Sequence, residues 1–266
     1  MIPGISTYTY TWAIGVPGSM PENPMTIYQL IEKATELDVA VLQVADNLPL
    51  DQFSEPELLK IRNFADDLKI QIEVGSRCMT RENLSRYLEL ACFFRSPILR
   101  FVIDGAGFEP TLEEIHSIIR SAVPELEANQ ITLAIENHDR LLARQFVEIV
   151  EKSGSKWVGI CLDTVNSMGA GEGLETVIGQ LVPITVNLHV KEFSIHRVSH
   201  KMGFIIEGVP LGKGMLPVAE LITKVSQRCQ SAILEQWTPP EDTIEKTIQK
   251  ENEWAIESIN FLKNKL

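Results

Sequence analysis

Along the chain, short runs rich in β-branched and other apolar residues alternate with longer stretches whose apolar positions fall three and four apart. The short runs cover residues 2–8, 39–45, 70–75, 98–103, 131–136, 157–163, 184–189 and 232–235. Most are apolar almost throughout, as expected of parallel strands covered on both faces. The longer stretches carry helical stripes, such as Ile27, Leu30, Ile31, Ala34 and Leu37, or Leu112, Ile115, Ile118, Ile119 and Val123. Ser54 before Glu55-Pro56-Glu57 and Thr80 before Arg81-Glu82-Asn83 read as helix starts. Pro124 is expected to kink its helix or end it early. Residues 242–266 read as a closing helix.

Eight strand-then-helix units with no Pro/Gly/Ser-rich linker predict one closed (β/α)8 TIM barrel over residues 1–266, an α/β fold in a single domain. An open doubly wound sheet is the runner-up, but its G-x-G-x-x-G fingerprint is missing, since Gly4, Gly15 and Gly18 have the wrong spacing. No G-x-x-x-x-G-K-[ST] loop is present either. The one long connection, residues 190–214, carries Lys191, His196, Arg197, His200 and Lys201, an apolar Phe204-Ile205-Ile206, and a Gly-rich return. It is expected to pass over the barrel mouth.

Composition narrows the partners. With 24 Lys+Arg against 36 Asp+Glu, the formal charge of −12 argues against general binding to nucleic acid or anionic membrane. Cys78, Cys92, Cys161 and Cys229 are scattered, so neither a disulfide framework nor a zinc finger is expected. No basic leader precedes an apolar stretch, and no apolar run approaches the ~18 residues of a membrane helix. The expectation is a cytoplasmic protein with small-molecule partners.

The last four strands end in Ile-Glu136-Asn-His, Leu-Asp163-Thr, Leu-His189-Val-Lys and Leu-Glu235-Gln-Trp. One polar residue at a strand end is more often a rim or capping residue. Four on successive strands are another matter, because C-terminal strand ends of a barrel converge on one face. Three carboxylates and an imidazole suit a divalent ion, Mn2+, Mg2+ or Co2+, with Zn2+ as a further option. A cation would also relieve their mutual repulsion. The competing reading is a structural ion-pair network using Lys191 and Arg100.

These motifs, with Leu-Gly-Lys-Gly at residues 211–214, resemble the xylose isomerase-like barrels over nearly the whole chain. That group includes sugar and sugar-phosphate isomerases and epimerases, inosose dehydratase and type IV apurinic endonucleases. The resemblance implies that Glu136, Asp163, His189 and Glu235 hold a metal ion, and that Glu136 and Glu235 are the acid/base pair of an isomerase or epimerase working through an enediolate. A keto-sugar or keto-inositol dehydratase is the alternative on the same site. Endonuclease activity is disfavoured by a chain with 5 His and a charge of −12, and a non-catalytic sugar-binding barrel is the third reading. Among relatives a dimer or tetramer is usual. Candidate substrate contacts are His138, Asn166, Lys191, Arg197, Trp12 and Trp237. Tyr8, Tyr10 and Trp12 alternate as if to face one side, and His116 reads as structural. Asn166, Lys213 and Ile195 stand where many relatives have His, Glu and Arg, which weakens the match to ketose 3-epimerases in particular.

Overall fold

The apolar runs form parallel strands and the striped stretches form helices in the computed structural model, which describes residues 1–225 and 227–266. The first half runs β1 (Ile2–Ser6), α1 (Thr11–Ile14), α2 (Ile27–Glu36), β2 (Val41–Val44), α3 (Glu55–Asp67), β3 (Gln71–Arg77), α4 (Arg81–Phe94) and β4 (Ile98–Val102). The second half runs α5 (Leu112–Asn129), β5 (Thr132–Glu136), α6 (Ala143–Ser153), β6 (Val158–Asp163), α7 (Leu174–Leu181), β7 (Thr185–Val190), β8 (Phe193–Arg197), β9 (Phe204–Gly208), α8 (Val218–Lys224), β10 (Ser231–Leu234) and α9 (Ile244–Lys263). The barrel closes in the order β1-β10-β7-β6-β5-β4-β3-β2, all parallel. The eight expected strands are therefore its staves, each next to its successor, and β1 joins β10 to β2.

The main apolar core lies between barrel and helices, where residues such as Leu30, Ile31, Leu42, Leu133 and Phe146 are buried. The barrel interior is different. A small apolar group of Ile98, Ala134, Cys161 and Val186 sits beneath buried polar residues that include Gln43, Glu73, Arg100, Asn187 and Ser231. Gly75 makes room for one of them: a Cβ there would lie 3.3 Å from Arg100 Cδ and 3.2 Å from the Val44 carbonyl oxygen.

Two local expectations are corrected. Of the two outcomes expected at Pro124 the early end does not occur: α5 continues through it to Asn129 on an exposed face where water can take the carbonyl it leaves unpaired. Tyr8, Tyr10 and Trp12 do not share a side. Ser6 Oγ accepts the Tyr8 N–H at 2.9 Å and starts a 3-10 turn, Thr7–Thr9, so the two-residue period is lost before Tyr10. Tyr10 is buried with its hydroxyl near Asn252, while Tyr8 and Trp12 face the mouth. Both predicted helix starts are present: on α3 the Ser54 N–H and hydroxyl donate to Glu57 Oε2 at 2.9 and 2.6 Å, and on α4 Thr80 Oγ1 accepts the Asn83 N–H at 3.1 Å.

The long connection folds as the antiparallel hairpin β8-β9, apart from the barrel sheet. Glu192 ties down its base. Its Oε1 accepts the Leu216 N–H at 2.8 Å and its Oε2 the Gly212 N–H at 3.2 Å. Gly214 belongs to the same tight return, since a Cβ there would stand 2.2 Å from the Phe193 carbonyl oxygen. No helix among the described residues is long and apolar enough to cross a membrane.

Candidate active site

Parallel strands with matched registers bring the four strand-end residues together. Glu136 closes β5, Asp163 closes β6 opposite His189 of β7, and Glu235 follows β10. His189 Nδ1 lies 3.3 Å from Glu136 Oε2, 3.4 Å from Glu235 Oε1 and 3.9 Å from Asp163 Oδ2. All four side chains are buried. Asp163 Oδ1 is committed to the N–H groups of Val165 and Asn166, at 2.8 and 2.9 Å. His189 Nδ1, by contrast, has no hydrogen-bond partner despite its burial. Such orphaned atoms are rare without a partner. The donor spacing is also what neighbouring ligands show when each stands about 2.0–2.6 Å from one ion, and two overlapping groups that share His189, one with Asp163 and Glu235 and one with Glu136 and Cys161, are close enough to hold a divalent metal.

The ion-pair network expected as the competing reading is present as well. Lys191 Nζ lies 2.9 Å from both Asp163 Oδ2 and Glu235 Oε2. Arg100 Nε donates to Glu136 Oε2, and its Nη1 donates to Asp46 Oδ1 at 2.9 Å. Burial by itself would raise the Glu235 pKa, but the surrounding positive charge, Lys191 and Arg100 included, outweighs it and holds the group below its ordinary value. Burial disfavours charge on Lys191 too, and Asp163 and Glu235 reverse this, lifting the ammonium well above its ordinary range. Both buried cations compensate the carboxylates, Lys191 pairing with Asp163 Oδ2, while His189 Nδ1 keeps no partner, so network and metal site coexist.

Over these residues opens a cavity of about 260 Å³ walled by Tyr8, Asp46, Arg77, Arg100, His138 and Asn166, among others. Tyr8, Lys191 and Trp237 are shared with a neighbouring apolar cleft of about 420 Å³ that reaches Trp12 and Ile206 of β9. The hairpin thus does border the mouth, as expected. Asn166 Nδ2 donates to Glu136 Oε1 at 2.8 Å. His138 lines the cavity with its Nδ1 3.2 Å from Asp139, and Lys191 Nζ lies 5.3 Å from the Trp237 ring centre. Trp12 donates Nε1–H to the Thr238 carbonyl at 2.8 Å, which locks its ring against the cleft.

Arg197 is not brought to the site. It lies exposed on β8, donating to the Lys201 carbonyl and stacking over Phe204, because the hairpin carries it away from the barrel axis. Lys213 pairs with Glu257 at 3.0 Å. His116 packs near Glu148, away from the mouth, as expected.

Asp46, Arg77 and Tyr8 were not among the candidates, and Arg100 was named only as an ion-pair partner. Tyr8 donates its hydroxyl to Asp46 Oδ2 at 3.0 Å, and Arg77 Nη1 stands 3.6 Å from the same oxygen. The signal for Arg100 is one charge inside the apolar run Ile98-Leu99-Arg100-Phe101-Val102, and for Asp46 and Arg77 a charge at a strand end.

A model described as xylose isomerase-like TIM barrel matches residues 29–265. The chain is 32% identical over 264 residues to 3-oxo-isoapionate decarboxylase from Pectobacterium atrosepticum, covering 98% of this chain and 95% of that protein. Among solved structures it is similar to D-psicose 3-epimerase with D-tagatose from Clostridium cellulolyticum, at TM-score 0.73, 14% identity and 99% coverage of each chain. It is also similar to a xylose isomerase-like TIM barrel protein from Mycobacterium smegmatis in complex with magnesium, at TM-score 0.70 and 13% identity, covering 98% of this chain and 97% of that one. The two structural likenesses establish the shared fold, and the chain is related to sugar-modifying enzymes.

Proposed function

We propose, from the premise that this chain belongs to the xylose isomerase-like TIM barrel family, that it is a divalent-metal-dependent decarboxylase of a 3-oxo sugar acid. The observation that carries this reading is the pairing of both glutamates with buried cations beneath a cavity that also holds Arg77. Glu235, held ionised by the cations around it, is a weak base for a C–H proton. Loss of carbon dioxide from a 3-oxo acid needs no base, since the C–C bonding pair moves toward the oxo carbon. The relative with decarboxylase in its name supports the same chemistry.

Glu136, Asp163, His189 and Glu235 would hold the metal. When bound, a divalent cation supplies a Lewis acid for the oxo oxygen and an adjacent hydroxyl. Arg77 faces the cavity with only a 3.6 Å contact to Asp46, and it takes the substrate carboxylate. Arg100 and Asn166 orient Glu136. As carbon dioxide departs, the remaining pair lies on the enediolate, whose carbon must gain one proton. Lys191, charged and lining the cavity, is the donor: an enediolate carbon is a far stronger base than an amine, so an ammonium held by carboxylates can still yield its proton to it and recover one from solvent.

Isomerase or epimerase action is the second reading, favoured by the placement of Glu136 and Glu235 on either side of His189. It shares the enediolate and differs in how that species is reached. A cytoplasmic location is proposed from the four free cysteines. Metal-loaded protein incubated in D2O with 3-oxo sugar acids and with ketoses separates the readings. Carbon dioxide release with one deuterium incorporated is expected. Solvent exchange into a ketose without carbon dioxide release would replace decarboxylation by the second reading.

A further inference from the structure

We infer that Gln43 is a positioning residue for the metal site, fixing the tautomer in which His189 turns its Nδ1 lone pair toward Glu136, Asp163 and Glu235. The inference rests on the metal reading of those four residues and is independent of which reaction they serve.

Gln43 is fully buried inside the barrel on β2. Its Nε2 lies 3.0 Å from Glu73 Oε2 and 3.0 Å from Asn187 Oδ1. Both are acceptors, for the Asn187 amide is itself oriented: its Nδ2 donates to Ser231 Oγ at 2.7 Å and to Glu73 Oε2 at 3.2 Å. Ser231 Oγ passes its own proton to Glu73 Oε1 at 2.5 Å. Every donor in this network therefore points one way. A flipped Gln43 amide would set its oxygen against two acceptors, so the observed orientation is the one the network allows.

That leaves Gln43 Oε1, which can only accept, 2.6 Å from His189 Nε2. The imidazole must carry its proton there. In the neutral ring Nδ1 is then a bare lone pair, and it is the atom found buried among carboxylate oxygens without a hydrogen-bond partner. A lone pair facing anions is repelled by them, and a cation between them removes the conflict. An amide suits the Gln43 position better than an ionised carboxylate would. It offers the acceptor without adding charge beside buried Glu73.

The experiment measures zinc affinity of the purified full-length chain by chelator competition, together with the imidazole 15N shifts of the zinc-loaded protein, His189 being assigned from its loss in His189→Gln. Wild type is expected to show N–H at Nε2 and the ligand nitrogen at Nδ1. Gln43→Met should weaken zinc binding by about 10–100-fold and disturb that pattern. Gln43→Glu, which can share one proton with Glu73 and still accept from His189, should restore both. Asn187→Ala frees the Gln43 amide to rotate and should move both readouts in the same direction as Gln43→Met, which keeps the inference testable if Gln43→Met fails to fold. Wild-type affinity and an unchanged 15N pattern in Gln43→Met, or in Asn187→Ala if that is the folded variant, would overturn it. Absence of zinc binding in the wild type would overturn the metal reading along with it.

Discussion

Lys191 Nζ stands 2.9 Å from Glu235 Oε2, the carboxylate that Ser6 Oγ also contacts at 3.1 Å on its other oxygen. The residue expected to act as a base is thus held as an anion by a buried ammonium, which shifts the chemical initiative from the carboxylate to the cation beside it. Lys191 reaches Asp163 by the same distance, so it spans two proposed ligands while still lining the cavity.

If Lys191 returns the proton, Lys191→Met should lower turnover by about 10²–10⁴-fold, the usual worth of a positioned acid. Zinc affinity should not fall, because a competing cation has been removed. Carbon dioxide release measured beside a chelator titration separates the two effects, and unimpaired turnover would dismiss Lys191 as the donor.

Arg77→Gln should act on binding. Loss of one charge-assisted hydrogen bond of about 1.5–3 kcal/mol predicts a KM for the 3-oxo acid raised roughly 10–100-fold, with kcat less affected. Any activity on an uncharged ketose should be unchanged by this substitution. A kcat loss with unaltered KM would place Arg77 elsewhere in the mechanism.

Chelation should abolish turnover, and added Mg2+ or Mn2+ should restore it. Asp163→Asn and His189→Gln should bind less metal per chain by elemental analysis while keeping the circular dichroism of a folded barrel. Full metal content in either variant would remove that residue from the ligand set.

Away from the site, Glu251 on α9 accepts the N–H groups of Trp12 and Ala13 at 2.9 and 3.0 Å. Burial raises its pKa to about 7 from 4.5, outweighing those backbone hydrogen bonds. The folded state therefore holds the proton more tightly than the unfolded chain. This contribution is complete below pH 4.5 and is lost as pH climbs toward 7. Urea denaturation of wild type and Glu251→Gln should show the wild type losing roughly 3 kcal/mol relative to the variant across that window. A constant difference would mean that Glu251 titrates normally.

The barrel and its ligand set were legible because both depend on local pattern plus one topological rule. Continuous apolar runs mark strands buried on both faces, and consecutive strands of a closed parallel barrel must end side by side, so topology alone brings Glu136, Asp163, His189 and Glu235 to one face. The limit shows at Tyr8, Tyr10 and Trp12, where one capping hydroxyl, Ser6 Oγ, breaks the strand period.

Contacts across the barrel were not legible. Gln43, Glu73, Asn187 and Ser231 come from β2, β3, β7 and β10, and each alone is an unremarked polar residue in an apolar run. A two-residue period says that such a side chain points inward, but not which residue lies opposite. Only closure of the barrel decides that, and with it the proton on His189 Nε2, the cations that pair with Glu136 and Glu235, and the removal of Arg197 from the site. The sequence by itself determined which residues could ligate a metal. Tertiary structure determined their hydrogen-bond partners and orientation, because both depend on groups brought within hydrogen-bond distance across the barrel axis.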